Sequence, residues 1–209
     1  MSVPEQLTPV EARVLSVMIE KAATVPDTYP LSLNSLLTGC NQKTARDPVM
    51  EVSESEALEA LDNLRGHDLV IESSGSRVTK YSHNMGRVYQ LPTPSVALLA
   101  TLMLRGPQTV AELRANTERL YRFADASSLE AFLEELSTRN AGALTVLLPR
   151  APGARESRWA HLLCGTPEIP VASSQNSRAP DNSLAAEVAA LREEVAALRA
   201  EVEALKAQH

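Results

Sequence analysis

Cysteine is nearly absent from this chain of 209 residues: Cys40 and Cys164 stand far apart, with no CxxC pair and no histidine at ligand spacing. A disulfide framework and a zinc ribbon are thereby excluded, and both residues read as reduced, buried thiols. Long apolar runs are missing too, and none approaches the ~18 residues of a membrane span. The opening MSVPEQLTPVEARVL has no basic stretch leading into an apolar segment, so a cytoplasmic location is expected. Positive charge is in deficit, with 20 Lys and Arg against 26 Asp and Glu and a net charge of −6. The chain as a whole therefore offers nucleic acid no attraction, and any such binding has to be local. No glycine-rich phosphate loop, GxSxG or HExxH is present, and His67, His83 and His161 lack a matching Cys or carboxylate. No catalytic residue, metal ligand or cofactor site is assigned, and the expected class is non-enzymatic.

What is present is a repeated plan. Thr8-Pro9-Val10-Glu11 reads as an N-cap, a proline at the first helical position and a glutamate at the third. Val10, Val14, Val17 and Met18 continue at helical spacing until the pattern fades after Glu20. Leu33, Leu36, Leu37 and Cys40 define a short second helix capped by Ser32, with Gly39 helping to end it. Ser53 to Glu56 forms a capping box for a third helix whose expected inner face is Ala57, Leu58, Leu61 and Leu64. Leu69 to Ser73 and Val78 to Asn84, joined by Ser-Gly-Ser, predict a hairpin.

The order recurs in the second half. Thr93-Pro94-Ser95 opens a helix through Leu98, Leu99, Leu102 and Met103, and Gly106-Pro107 stops it. Val110, Leu113 and Leu120 suggest a second helix. Ser127-Ser128-Leu129-Glu130 is expected to cap a third, with Leu129, Phe132, Leu133 and Leu136 facing inward. Leu144 to Leu148 and Arg158 to Leu163 supply another hairpin around Pro152-Gly153, with Trp159, the one tryptophan, packed beneath it. Three helices and a hairpin make a winged helix, so the predicted fold is mainly α with small β-hairpins, α+β in class: tandem winged-helix domains at 1–90 and 91–165. A single winged helix followed by a different α+β domain is the alternative.

Residues 166–183 hold three prolines, four serines and almost no large apolar side chain, which predicts a flexible linker. In 184–209, Leu184, Val188, Leu191, Val195, Leu198, Val202 and Leu205 alternate steps of four and three. This is a heptad with Val at a and Leu at d. Glu187, Glu194 and Glu201 fall at g, with Arg192, Arg199 and Lys206 at the following e positions. Those charges suit a parallel homodimer; a solitary helix held by intrachain Glu/Arg pairs is the alternative.

Gly39-Cys40-Asn41-Gln42-Lys43-Thr44-Ala45-Arg46-Asp47-Pro48-Val49-Met50, with Leu7 to Leu15 and Ile19-Glu20-Lys21, resembles the YceH family of bacterial proteins. The resemblance covers most of residues 1–165. It implies a tandem winged-helix fold and carries over no catalytic residue, substrate or cofactor. Ala45 departs from the small polar residue expected there.

Function turns on the third helices. At 100° per residue, Ser55, Glu56, Glu59, Asp62 and Asn63 fall on the outward side of the first, and the second presents Glu130, Glu134 and Glu135, with Arg139 only at its end. DNA readers draw half or more of their hydrogen bonds from the phosphate and sugar backbone and use Arg or Lys on guanine. Carboxylates in that groove add repulsion instead. These acidic faces therefore predict a protein partner. The hairpins carry the cations: Arg77 and Lys80 with His83, Asn84 and nearby Arg87 in one, and Arg150, Arg155 and Arg158 in the other. The alternative is thus a DNA-binding regulator that contacts phosphates or a minor groove through its wings. Lys43 and Arg46 would then clamp a phosphate or a partner carboxylate; equally, Arg46 and Asp47 would simply hold the loop between the second and third helices.

Overall fold

A computed structural model describes residues 6–74, 78–151 and 153–167. The heptad residues Leu184 to Leu205, most of the expected linker and Arg77 lie outside the described residues. The fold is α+β: seven α-helices and two small antiparallel sheets among the described residues. No helix among them is long and apolar enough to cross a membrane.

The first half runs α1 (Pro9–Thr24), β1 (Leu31–Ser32), α2 (Leu33–Cys40), α3 (Glu54–Gly66), β2 (Val70–Ser73) and β3 (Lys80–His83). Capping fixes the helix starts. Thr8 and Glu11 bond each other's backbone at α1, and Ser53 and Glu56 do so at α3; each pair satisfies two N–H groups that a helix leaves open. α1 continues to Thr24, four residues past the point where its apolar pattern fades. β3 is the central strand of the first sheet, between β2 and the two-residue β1, which sequence patterning did not reveal. The Tyr29 hydroxyl accepts from the His83 backbone N–H at 2.7 Å and ties the α1–β1 connection to that strand.

After the short α4 (Met85–Val88) come α5 (Thr93–Arg105), α6 (Val110–Thr117), α7 (Ala126–Ser137), β4 (Thr145–Leu147) and β5 (Trp159–His161). The α7 cap differs from expectation: Asp125, not Ser127, accepts from the Ser128 N–H, and the Ser128 hydroxyl in turn accepts from the Asp125 N–H. An ionised carboxylate at the positive end of a helix is the stronger cap.

α1 and α5 lie against each other at the centre. From Ala12 to Ile19 and from Ser95 to Leu104 every residue is buried, so neither helix keeps a solvent-facing side. One apolar cluster runs from α1 through α3 to Leu99 and Met103 of α5, and on to Leu144 and Leu163. A smaller one joins Leu98 and Leu102 to Leu113, Phe123, Leu129 and Trp159.

Two packing details revise the sequence expectation. Gly39 does not end α2; it lies within the helix, and a Cβ there would sit 2.5 Å from the Val17 Cγ1 of α1. Its missing side chain is what lets the two helices approach. On α3 the buried stripe is Ala57, Ala60, Leu61 and Leu64, whereas Leu58 is 43% exposed. Leu58 stands about 100° around the helix from Ala57, on its flank.

Candidate functional site

The acidic faces lie where solvent reaches them. Glu56, Glu59 and Asp62 on α3 are exposed, as are Glu130, Glu134 and Glu135 on α7. Bonds from the Ser53 hydroxyl and then from its backbone N–H hold the Glu56 carboxyl below its ordinary pKa, so it stays charged. The one cation on this part of α3, Arg65, is occupied: it pairs with Glu72 at 2.6 Å and with Asp62. Glu72 first, and Asp62 next, raise its pKa.

The predicted cations divide into two groups. Arg46 has a side-chain exposure of 0%, and its guanidinium is spent within the protein. It donates to Glu20 Oε2 at 2.6 Å, Gln42 Oε1 at 2.7 Å, Ala45 O at 2.9 Å and Gly39 O at 3.0 Å. Arg13 joins this polar core from α1, donating to Pro48 O at 2.6 Å and Cys40 O at 3.2 Å. Burial first, and the neighbouring Arg46 next, lower its pKa. Together the two arginines fasten the loop that holds Lys43 to α1 and α2. The Asp47 N–H donates to Leu104 O at 2.8 Å and anchors the same loop to α5. Arg158 is likewise engaged, with Glu112 Oε2 at 2.7 Å, Glu112 Oε1 at 3.0 Å and Pro107 O at 2.9 Å. The Thr109 N–H, and then Arg158, lower the pKa of Glu112.

The remaining cations are Lys43, Arg150 and Arg155, all exposed and none ion-paired among the described residues, and Lys80, which is half-buried in β3. Arg87 is exposed beside a cleft of about 960 Å³ bordered by β2, and Arg139 donates to Tyr89 O at 2.6 Å. Sequence reasoning missed Arg13 and Glu20 as members of the buried network. Arg13 sits three residues after Val10 and one before Val14, and a cation inside an apolar stripe was the signal available.

A cleft of about 790 Å³ opens between α6, α7 and the β4–β5 hairpin. Phe123 and Trp159, both buried, form its floor, with Leu147 half-exposed at one edge. Glu130 and Glu134, anticipated from sequence as part of an acidic face, are also a wall of this cleft; the cleft itself depends on tertiary packing.

Burial pushes the Cys40 thiol up to about 12 and the Cys164 thiol up to about 11, and depresses His161 to about 4. Among the described residues, no group of three or more His, Cys, Asp or Glu side chains is placed to hold a metal ion.

Residues 7–154 match the family described as "Protein of unknown function, DUF480". A UPF0502 protein of Leptothrix cholodnii is 56% identical over 202 residues, which cover 89% of this chain and 90% of that one. One from Cupriavidus taiwanensis is 60% identical over 188 residues, covering 89% and 77%. Another, from Cupriavidus necator, is 66% identical over 159 residues, covering 76% and 65%. The match runs through both halves of the fold, from the Thr8 cap of α1 to the hairpin that carries Arg150, and the chain belongs to the DUF480 family.

Proposed function

We propose that this protein is a non-enzymatic interaction module of the cytoplasm, in which two winged-helix domains present acidic third helices to a protein partner. The order of three helices and a hairpin, found in each half, supports the tandem winged-helix reading and agrees with the YceH resemblance. In this reading 1–90 and 91–165 are the two domains, and 166–183 links them to a coiled coil at 184–209 that pairs two copies in parallel.

The observation that carries the proposal is the fate of the charges. The carboxylates on α3 and α7 face solvent, whereas Arg46 is buried and spent within the chain and Arg158, though exposed, is paired with Glu112. A phosphate backbone approaching α3 would meet negative charge with its one cation, Arg65, already paired, and one approaching α7 would meet carboxylates that outnumber the neighbouring Arg114 and Arg122. The elevated thiols of Cys40 and Cys164 argue in addition against either serving as a thiolate nucleophile at neutral pH.

A mobility-shift titration of the full chain with mixed-sequence duplex DNA at several salt concentrations tests this. The expected result is no retention, even at low salt. Retention that falls steeply with salt and is lost in Arg150→Ala/Arg155→Ala would establish the second reading, a regulator that binds DNA through its wings. That reading draws on the exposure of those two side chains on the hairpin. For the dimer, sedimentation of the full chain should give twice the monomer mass and a chain truncated at Gly165 the monomer mass; monomer masses for both would remove the coiled-coil pairing.

A further inference from the structure

We propose that the cleft between α6, α7 and the β4–β5 hairpin is a docking groove for a short amphipathic helix of a protein partner that carries Lys or Arg along its flanks. The proposal rests on the interaction-module reading and goes beyond it in naming the site and the chemistry of what enters it.

The shape comes from side-chain sizes. On α6, Ala111 and Ala115 are one turn apart and both exposed, and Ala126 faces the same cleft from the start of α7. Methyl groups on both walls let a third backbone come close, as helix-in-groove recognition requires. The floor supplies the apolar anchor point: Trp159 and Phe123 lie at its base, and Leu147 keeps half its surface open at the hairpin edge. A volume of about 790 Å³ accepts several side chains at once.

Charge selects the occupant. Four carboxylates line the groove: Glu118, Glu130, Glu134 and Glu156. They are opposed by Arg114 and Arg122 alone, and the Arg114 guanidinium already donates to Ala124 O at 3.2 Å. Glu130 and Glu134 are four residues apart on one face of α7, where like charges repel in the free protein. A lysine or arginine seated between them removes that repulsion and makes two charge-assisted bonds. An acidic helix would aggravate it, and a nucleic-acid backbone would meet the same carboxylates.

Trp159, the one tryptophan of the chain, lies at the floor and reports occupancy directly. The experiment titrates the full chain with two tryptophan-free peptides of helical periodicity, one of Leu and Lys and the other with Glu in place of every Lys. The expected result is a saturable change in Trp159 emission with the lysine peptide only, accompanied by a gain of peptide helicity in circular dichroism. Glu130→Gln/Glu134→Gln should weaken that binding about tenfold. Leu147→Asp, at a half-exposed position where folding tolerates it, should weaken it as well, and Glu51→Gln, an exposed carboxylate outside the groove, should leave it unchanged. Three results would each overturn the groove: equal response to both peptides, no response to either, or full affinity in Glu130→Gln/Glu134→Gln. If Glu56→Gln/Glu59→Gln alone weakens binding, the groove is refuted while the interaction-module reading survives with its site on α3. A Trp159 response to duplex DNA would refute both.

Discussion

The polar core around Arg46 sets up a sharp test, because its two partners predict different penalties from one ion pair. Arg46→Met removes a fully buried guanidinium and strands the Gly39 and Ala45 carbonyls, which lose bonds of 3.0 Å and 2.9 Å. It leaves Glu20 with Lys21, 3.6 Å away, as its remaining cation. Glu20→Gln instead leaves the guanidinium buried without its counter-charge and facing Arg13, which the Glu20 carboxylate also stabilises. Removing one member of a buried pair costs about 3–5 kcal/mol, whereas replacing both with apolar groups is often close to neutral. Each single variant should therefore lose about 3–5 kcal/mol, equivalent to about 6–20 °C in melting temperature for a chain of this size. Lys21 softens the first change, whereas the second leaves a buried guanidinium with only neutral acceptors, among them Gln42 Oε1 and Gly39 O, so Glu20→Gln should be the worse of the two. Glu20→Gln/Arg46→Met should recover part of the sum, with the stranded carbonyls accounting for what is not regained. Urea unfolding of the four proteins measures the cycle. Single losses below about 1 kcal/mol with a coupling below about 0.5 kcal/mol would refute the structural role.

Gly39→Ala places a methyl group where the Val17 Cγ1 already stands, and overpacking of this kind costs about 1–3 kcal/mol, less roughly 1 kcal/mol returned by helix propensity. Adding Val17→Ala clears the clash, so thermal melts should show Gly39→Ala costing less in that background than in the wild type; an equal cost in both would show that contact with α1 is not the reason for the glycine. The buried His161 Nδ1 has no hydrogen-bond partner among the described residues, and burial depresses the imidazole from 6.5 to about 4. Protons therefore bind the unfolded chain first as pH falls. Stability is at its full value above about pH 6.5, and this residue removes roughly 3 kcal/mol by pH 4. His161→Gln should flatten that part of the pH profile, and identical slopes for the two proteins would disprove the assignment.

Much of the architecture was legible along the chain because its determinants are local. The Thr8 and Ser53 capping boxes, the Gly106-Pro107 stop and the two hairpins each depend on residues within a few positions of one another, and local spacing is what a sequence displays. The acidity of α3 and α7 was legible for the same reason, since helical periodicity alone sorts their outward side chains. One cap and one face assignment went astray, the cap because Asp125 and Ser127 compete for the start of α7 and the face because packing leaves Leu58 on the flank of α3.

What only the tertiary structure decided is how distant segments meet. Periodicity shows that α1 and α5 are apolar, but not that they bury themselves against each other. Gly39 looks like a helix terminator until Val17, 22 positions earlier, is found against it. Arg46 reads as a candidate phosphate clamp until Glu20, 26 positions away, takes its charge, and the groove over Trp159 exists only because α6, α7 and the last hairpin converge. Pairing energies depend on distance in space, and a linear pattern records only distance along the chain.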